Sequence, residues 1–142
     1  MATSAVEEKR RILIVDDDPD ASHLIKILLE KIGHYVVLEE NDAARAHQSA
    51  RNFKPDLILL DIMMPGRDGG GVAAQIETDL DLQRTPIIFL TALVTKAEAK
   101  AILSFQLHPV LAKPISIPEL INKIEENLTA GGSGGTPVVA LP

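Results

Sequence analysis

The sequence predicts an α/β fold: an open, doubly wound, five-stranded parallel sheet with five helices on its two faces. Three observations carry this. Five apolar runs recur along the chain, ILIVD at 12–16, YVVLEE at 35–40, DLILLD at 56–61, PIIFLTA at 86–92 and a weaker PVLAK at 109–113. Several are rich in Val, Ile and Leu without alternation, as expected of strands covered on both faces. Segments with helical spacing lie between them, and repeated βα units imply right-handed crossovers. Ligands of such sheets bind outside the carboxyl ends of the strands, where the strand order reverses.

Taken in order, the first helix is read from Leu24, Ile27, Leu28 and Ile32, spaced i, i+3, i+4 and i+8, with Gly33 as its C′ residue. Weaker patterns predict helices over 43–53 and 72–80, and a better one over 96–105. The fifth, 117–128, places Leu120, Ile121, Ile124 and Leu128 on one stripe. Ser116 is its expected N-cap, Glu119 completes a capping box, and Pro118 falls in the first turn. After Leu128 the chain reads TAGGSGGTPVVALP, a composition suited to a flexible tail or linker. Residues 1–10 are therefore read as an N-terminal tail, 11–129 as the domain and 130–142 as the Gly/Ser-rich tail.

Composition narrows the function. A chain of 142 residues with 46% apolar content is long enough for one core. It has no cysteine, which removes disulfides and thiolate metal sites and favours a reducing, cytoplasmic setting. No apolar run approaches bilayer length, and MATSAVEEKRR lacks the apolar core of a signal peptide, so no membrane association is expected. Net charge is −6, and one Tyr, three Phe and no Trp leave few stacking platforms. Direct nucleic-acid binding is not expected.

The polar residues lie at the strand ends. The first strand runs into Asp16, Asp17 and Asp18, the third into Asp61, the fourth into Thr91 and the fifth into Lys113. In a parallel sheet all of them converge on one rim. Like charges about 4 Å apart repel by roughly 4 kcal/mol at an effective dielectric near 20, so clustered carboxylates need a cation. A hard divalent ion such as Mg²⁺ suits oxygen ligands and keeps waters that a phosphate can replace. Lys113 offers a point charge and Thr91 a hydroxyl to phosphoryl oxygens. Such a site neutralises a transferring phosphoryl group, with a carboxylate as nucleophile. Asp18, before Pro19, reads instead as a helix N-cap.

These residues resemble a family. ILIVDDDP at 12–19, LILLDIMMPGRDG at 57–69, IIFLTA at 87–92 and AKP at 112–114 are similar to the four motifs of bacterial response-regulator receiver domains, over about 11–129. The resemblance implies a flavodoxin-like sheet of order 2-1-3-4-5. It implies that Asp61 accepts the phosphoryl group, that Asp17 and Asp61 ligate Mg²⁺ (or Mn²⁺ in its place), with Asp16 helping through water, and that the Met63 backbone carbonyl is a further ligand. Thr91 and Lys113 would hold phosphoryl oxygens. The donor would be a histidine kinase or phosphotransfer protein. The output partner is open, with the face of the fourth helix, fifth strand and fifth helix as one docking surface and a phosphorylation-dependent homodimer as another outcome.

The chain departs from the family pattern at Val110, where many receivers carry an aromatic residue three positions before the Lys. A ring-flip mechanism is not expected, and the shape change is assigned to Thr91 and its loop. Met63 and Leu93, two residues after Asp61 and Thr91, are apolar and are expected to shield the acyl phosphate from water. His23, His34, His47 and His108 lack metal-ligand spacing and read as surface or packing residues. Gly69, Gly70 and Gly71 read as a turn before the third helix. Lys96, Lys100 and Lys123 fit a partner face or a solvated one equally. The leading function is a phosphoacceptor signalling module and not a turnover enzyme. A Mg²⁺-dependent phosphohydrolase is disfavoured because Met63 stands where a second acid would serve. A phosphorylation-independent pseudo-receiver is disfavoured by the intact Asp17, Asp61, Thr91 and Lys113.

Overall fold

A computed structural model describes residues 9–64, 67–91 and 108–132. β1 (Arg11–Val15), β2 (Val36–Glu40), β3 (Leu57–Asp61), β4 (Ile87–Thr91) and β5 (Val110–Ala112) form one parallel sheet in the order β2-β1-β3-β4-β5. That is the expected 2-1-3-4-5, with the reversal between β1 and β3. The register sets Val15 beside both Glu40 and Leu60, Asp61 beside Leu90, and Thr91 beside Ala112, which aligns the carboxyl ends. α1 (Pro19–Ile32), a 3₁₀ turn (Ala43–Arg45) leading into α2 (Ala46–Phe53), α3 (Gly69–Glu77) and the C-terminal helix (Ile117–Gly132) connect and cover the strands. A two-residue antiparallel ladder, Met63–Met64 with Arg67–Asp68, follows β3. The predicted helix over 96–105 lies outside the described residues.

The pleat explains two cores. Alternate side chains of each strand point to opposite faces. Leu13, Val15, Ile58, Leu60 and Phe89 pack with Ala46 and Ala50 of α2 and Val72 and Ile76 of α3. Ile12, Ile14, Leu57, Leu59, Ile88 and Leu90 pack with Ile25 and Leu29 of α1 and Leu120, Ile124 and Leu128 of the C-terminal helix. Residues 12–15 and 57–60 are fully buried, which accounts for the missing alternation. Each such Leu or Ile contributes roughly 1.5–3 kcal/mol by leaving water.

Several local expectations are corrected. α1 buries Ser22, Ile25 and Leu29, while Leu24, Ile27 and Ile32 are exposed at 58%, 43% and 55%. The helix is apolar around much of its circumference, so spacing alone did not choose the buried stripe. Gly33 is not a left-handed C′ residue: it is the C-cap with φ −99°, and His34 takes the positive φ of 60°. Gly33 is required for another reason, because a Cβ there would lie 2.3 Å from the ring of Tyr35. Tyr35 is buried and its hydroxyl donates to the Glu125 carboxylate of the C-terminal helix.

The three glycines do not form a turn before α3 but its first turn, and the helix ends at Glu77, leaving Leu80 exposed at 82%. At Gly69 a Cβ would come within 2.6 Å of the Asp61 carbonyl oxygen, so only glycine lets α3 start against β3. Its N–H donates to the Ile62 carbonyl at 2.9 Å. At the last helix Ser116 accepts from the Glu119 N–H at 3.4 Å, and among the described residues only this forward half of the capping box forms. The helix continues to Gly132, past the expected end at 128.

Candidate functional site

Each predicted site residue is delivered by the end of a strand. Asp16 extends the β1–β2 ladder by donating its N–H to the Glu40 carbonyl at 3.1 Å. Asp18 then caps α1, accepting from the N–H groups of Asp20 and Ala21 at 3.0 and 3.3 Å, as its position before Pro19 suggested. The cap turns the chain sharply and leaves Asp17 exposed on the rim. Asp61 and Thr91 close β3 and β4 and are buried at 5% and 3% exposure. Lys113 follows β5; its N–H donates to the Thr91 carbonyl at 2.6 Å, and its bond to Pro114 is cis.

The structure brings Asp16, Asp17 and Asp61 together, one carboxylate oxygen of each lying within 4.8 Å of the others. At that separation two unit charges repel by about 3.5 kcal/mol at an effective dielectric of 20, less for the exposed Asp17. Lys113 partly compensates. Its Nζ donates to Asp16 Oδ2 at 3.0 Å and lies 3.4 Å from Asp61 Oδ2. Burial alone would lower the Lys113 pKa, but hydrogen bonds to Asp16 and Asp61 and their charges outweigh it, and the net shift is upward. The ammonium is held charged. Asp16 is fully buried, and its other oxygen accepts the Asp18 N–H at 2.9 Å, so both oxygens have donors.

Among the described residues, three carboxylates gather at this rim and the Lys113 ammonium pairs with two of them, Asp16 and Asp61. The donors are all hard oxygens and gather within 4.8 Å of one another, and Mg²⁺ is commonly held by one or two such carboxylates together with waters. The residues present therefore fit a hard divalent cation. Met63 begins the short ladder just past Asp61, which keeps its backbone near this rim. Leu93, Lys96 and Lys100 lie outside the described residues.

Sequence reasoning missed the supports. The Asn41 side chain donates to the Asp16 carbonyl at 2.7 Å and to Ser22 Oγ at 2.9 Å. The available signal was its place at the carboxyl end of β2, next to β1. Among the described residues no histidine joins a group of metal-ligating side chains, and three of them have acidic partners that spacing could not reveal: His23 with Glu39, His47 with Asp79, and His108 with Glu77. His108 also meets Phe89 edge-on at 5.7 Å between ring centroids. Val110 is partly buried against the core cluster that contains Phe89.

Known proteins are similar to this chain in sequence and fold. The family model described as "Response regulator receiver domain" matches residues 12–125. A probable transcriptional regulator, ycf27 of Guillardia theta, is 37% identical over 119 residues, covering 84% of this chain and 45% of that protein. The chain thus spans less than half the length of that relative. The BeF₃-activated N-terminal receiver domain of Klebsiella pneumoniae RstA superposes with a TM-score of 0.75 at 29% identity, over 84% of this chain and 98% of the other. A CheY-like receiver domain protein from Methanospirillum hungatei gives 0.77 at 26%, over 90% and 100%. Strand order, converging strand-end residues and the family match agree: the chain belongs to the response regulator receiver domain family, the phosphoacceptor domain of two-component signalling.

Proposed function

We propose that Asp61 is the phosphoryl acceptor and that Asp16, Asp17, Asp61 and the Met63 backbone carbonyl hold Mg²⁺, with Mn²⁺ as a substitute. The observation that supports this best is the Asp61 carboxylate itself. It is 5% exposed, lies 3.4 Å from the Lys113 ammonium and is crowded by two further acids. Bound there, the metal supplies positive charge to the phosphoryl oxygens during transfer. An Asp61 carboxylate oxygen forms the new bond to phosphorus. The phosphorus–nitrogen bond of a donor phosphohistidine breaks, its electron pair returns to the imidazole, and that nitrogen takes up a proton. Lys113 then exchanges a carboxylate partner for a phosphoryl oxygen, and the Thr91 hydroxyl donates to another.

The donor is a histidine kinase or phosphotransfer protein, and the setting is cytoplasmic. Among the described residues no helix is long and apolar enough to cross a membrane. The domain occupies about 11–129. With a partly buried Val110 in β5, the conformational signal runs through Thr91 and its loop to the face shared by β5 and the C-terminal helix, where an output partner or a second copy docks. The protein acts as a stoichiometric acceptor and not as a turnover phosphohydrolase.

Incubation of the whole chain with Mg²⁺ and acetyl phosphate, followed by intact mass measurement, tests the assignment. One phosphoryl group per chain is expected, lost on removal of Mg²⁺ and absent in Asp61→Asn. An adduct retained by Asp61→Asn, or rapid multiple release of phosphate, would overturn it.

A further inference from the structure

We infer that Asn41 is a positioning residue for the metal-binding acids, held in place by Ser22 and Glu39; this rests on the Asp16, Asp17 and Asp61 site proposed above. Asp17 is exposed, and among the described residues its carboxylate has no hydrogen bond or ion pair. What orients it is the backbone on which it is carried. The peptide joining Asp16 to Asp17 is gripped on both sides of Asp16. The Asp16 N–H donates to the Glu40 carbonyl at 3.1 Å, and the Asp16 carbonyl accepts from Asn41 Nδ2 at 2.7 Å. The second bond fixes the plane of the peptide from which Asp17 emerges.

Asn41 cannot turn freely. Its amide also donates to Ser22 Oγ at 2.9 Å, and the proton of the fully buried Ser22 hydroxyl is shared between Glu39 Oε1 at 2.9 Å and the Pro19 carbonyl at 3.2 Å. The other Glu39 oxygen lies 2.9 Å from His23 Nδ1. Glu39 is therefore the common acceptor at the end of a chain of donors that joins β2, α1 and the end of β1. The order assigns the amide: only its NH₂ group can serve both the Asp16 carbonyl and a hydroxyl whose proton is already committed. Ser22 accordingly occupies a position on the buried face of α1 that an apolar residue would otherwise fill.

Groups that orient metal ligands without touching the ion commonly change affinity about 10–100-fold when removed. Asn41→Leu keeps the side-chain bulk, adds no charge and deletes both donations. Ser22→Ala leaves Asn41 intact but unbraced. Asp42→Ala is the control, because Asp42 caps the adjacent 3₁₀ turn through the Ala44 N–H at 2.9 Å and makes no bond to Asp16.

The readout is direct Mg²⁺ titration of the unphosphorylated whole chain by backbone amide NMR shifts, with circular dichroism and metal-free melting curves. The expected result is about tenfold weaker Mg²⁺ binding in Asn41→Leu, about threefold weaker in Ser22→Ala, and Asp42→Ala within about twofold of the starting protein. Restoration by Ser22→Thr, which keeps the hydroxyl, of most of the affinity lost in Ser22→Ala would add support. Mg²⁺ binding by Asn41→Leu within about twofold of the starting protein overturns the inference alone. So does an equal loss in Asp42→Ala. Failure of the starting protein to bind Mg²⁺ at all overturns the site and its positioning residue together.

Discussion

Two groups of aspartates sit at opposite ends of the sheet, and they differ in how their charges are met. At the amino-terminal end, charges are matched. Asp79, in the segment before β4, accepts from His47 Nε2 at 2.8 Å and from an Arg51 guanidinium nitrogen at 2.5 Å, clipping α2 to that segment. Asp56, just before β3, accepts the Arg11 N–H at 2.7 Å and has Arg10 at 3.8 Å. At the carboxyl end, one carboxylate oxygen each of Asp16, Asp17 and Asp61 lies within 4.8 Å of the others, and among the described residues Lys113 pairs with Asp16 and Asp61. Balanced pairs hold elements together, whereas acids clustered on one rim form a group that could hold a metal ion. Acid content alone does not mark the site; the convergence of acids from two strand ends on one rim does.

That contrast can be broken most readily at Lys113. Lys113→Met removes the ammonium that pairs with Asp16 and Asp61, and transfer of phosphoryl from acetyl phosphate to Asp61 should slow by about a hundredfold, measured as the initial rate of adduct formation. Loss of Arg51 at the other end should leave that rate unchanged. A Lys113→Met rate within about threefold of the starting protein would remove Lys113 from the chemistry.

The next largest effect concerns lifetime. If Met63 and Leu93 shield the adduct, Met63→Asn with Leu93→Glu should hydrolyse the acyl phosphate several-fold faster, followed by decay of the phosphorylated mass. A change within about twofold would mean that water is excluded by other groups.

The amino-terminal clip should matter for stability and not for transfer. Hydrogen bonds from His47 and then Arg51, with the Asp81 N–H, hold the Asp79 carboxyl well below its ordinary value of 3.8, at about 2. A depressed folded-state pKa contributes stability above the unfolded value and loses it as pH falls through the folded one. The clip's contribution should therefore fade from about pH 4 down to about pH 2. Lys113 has the opposite sign. Its raised pKa contributes fully below 10.5 and is lost as pH rises through the higher folded-state value. Asp79→Ala should lower the melting temperature at pH 7 by about 2–4 °C, a difference that closes at pH 2. If the gap persists unchanged in acid, the charge of Asp79 is not what holds the clip.

The smallest effect has the reverse direction. Asp17→Asn, which reduces like-charge crowding in the metal-free crevice, should raise the melting temperature by about 1–2 °C while weakening Mg²⁺ binding. A fall in melting temperature would show that the crevice is held together by Asp17 and is not strained by it.

The fold was legible because its signals are local and repeated. Non-alternating strands such as LILLD at Leu57–Asp61 report burial on both faces, and strand-end residues name the rim on which a parallel sheet collects them. Helix faces were less legible. α1 carries apolar residues on both its buried and exposed sides, so the stripe through Leu24, Ile27 and Ile32 was indistinguishable in sequence from the buried one through Ile25 and Leu29. The glycines of α3 were misread for a related reason. Glycine's usual role as a turn former hides the case of Gly69, where the missing Cβ admits a close approach to Asp61.

By itself, then, the sequence determined the sheet, its helical layers and the residue types assembled at the crevice, since each follows from periodicity along the chain or from the ends of strands. Only the tertiary structure decided which charges meet. Lys113 reaches Asp16 across 97 positions, and Asn41 closes on Asp16 across 25. His47 and Arg51 find Asp79 only because α2 packs beside the segment that follows α3. Such pairings depend on distances between elements, and a strongly distance-dependent interaction between residues far apart in sequence leaves no periodic trace along the chain.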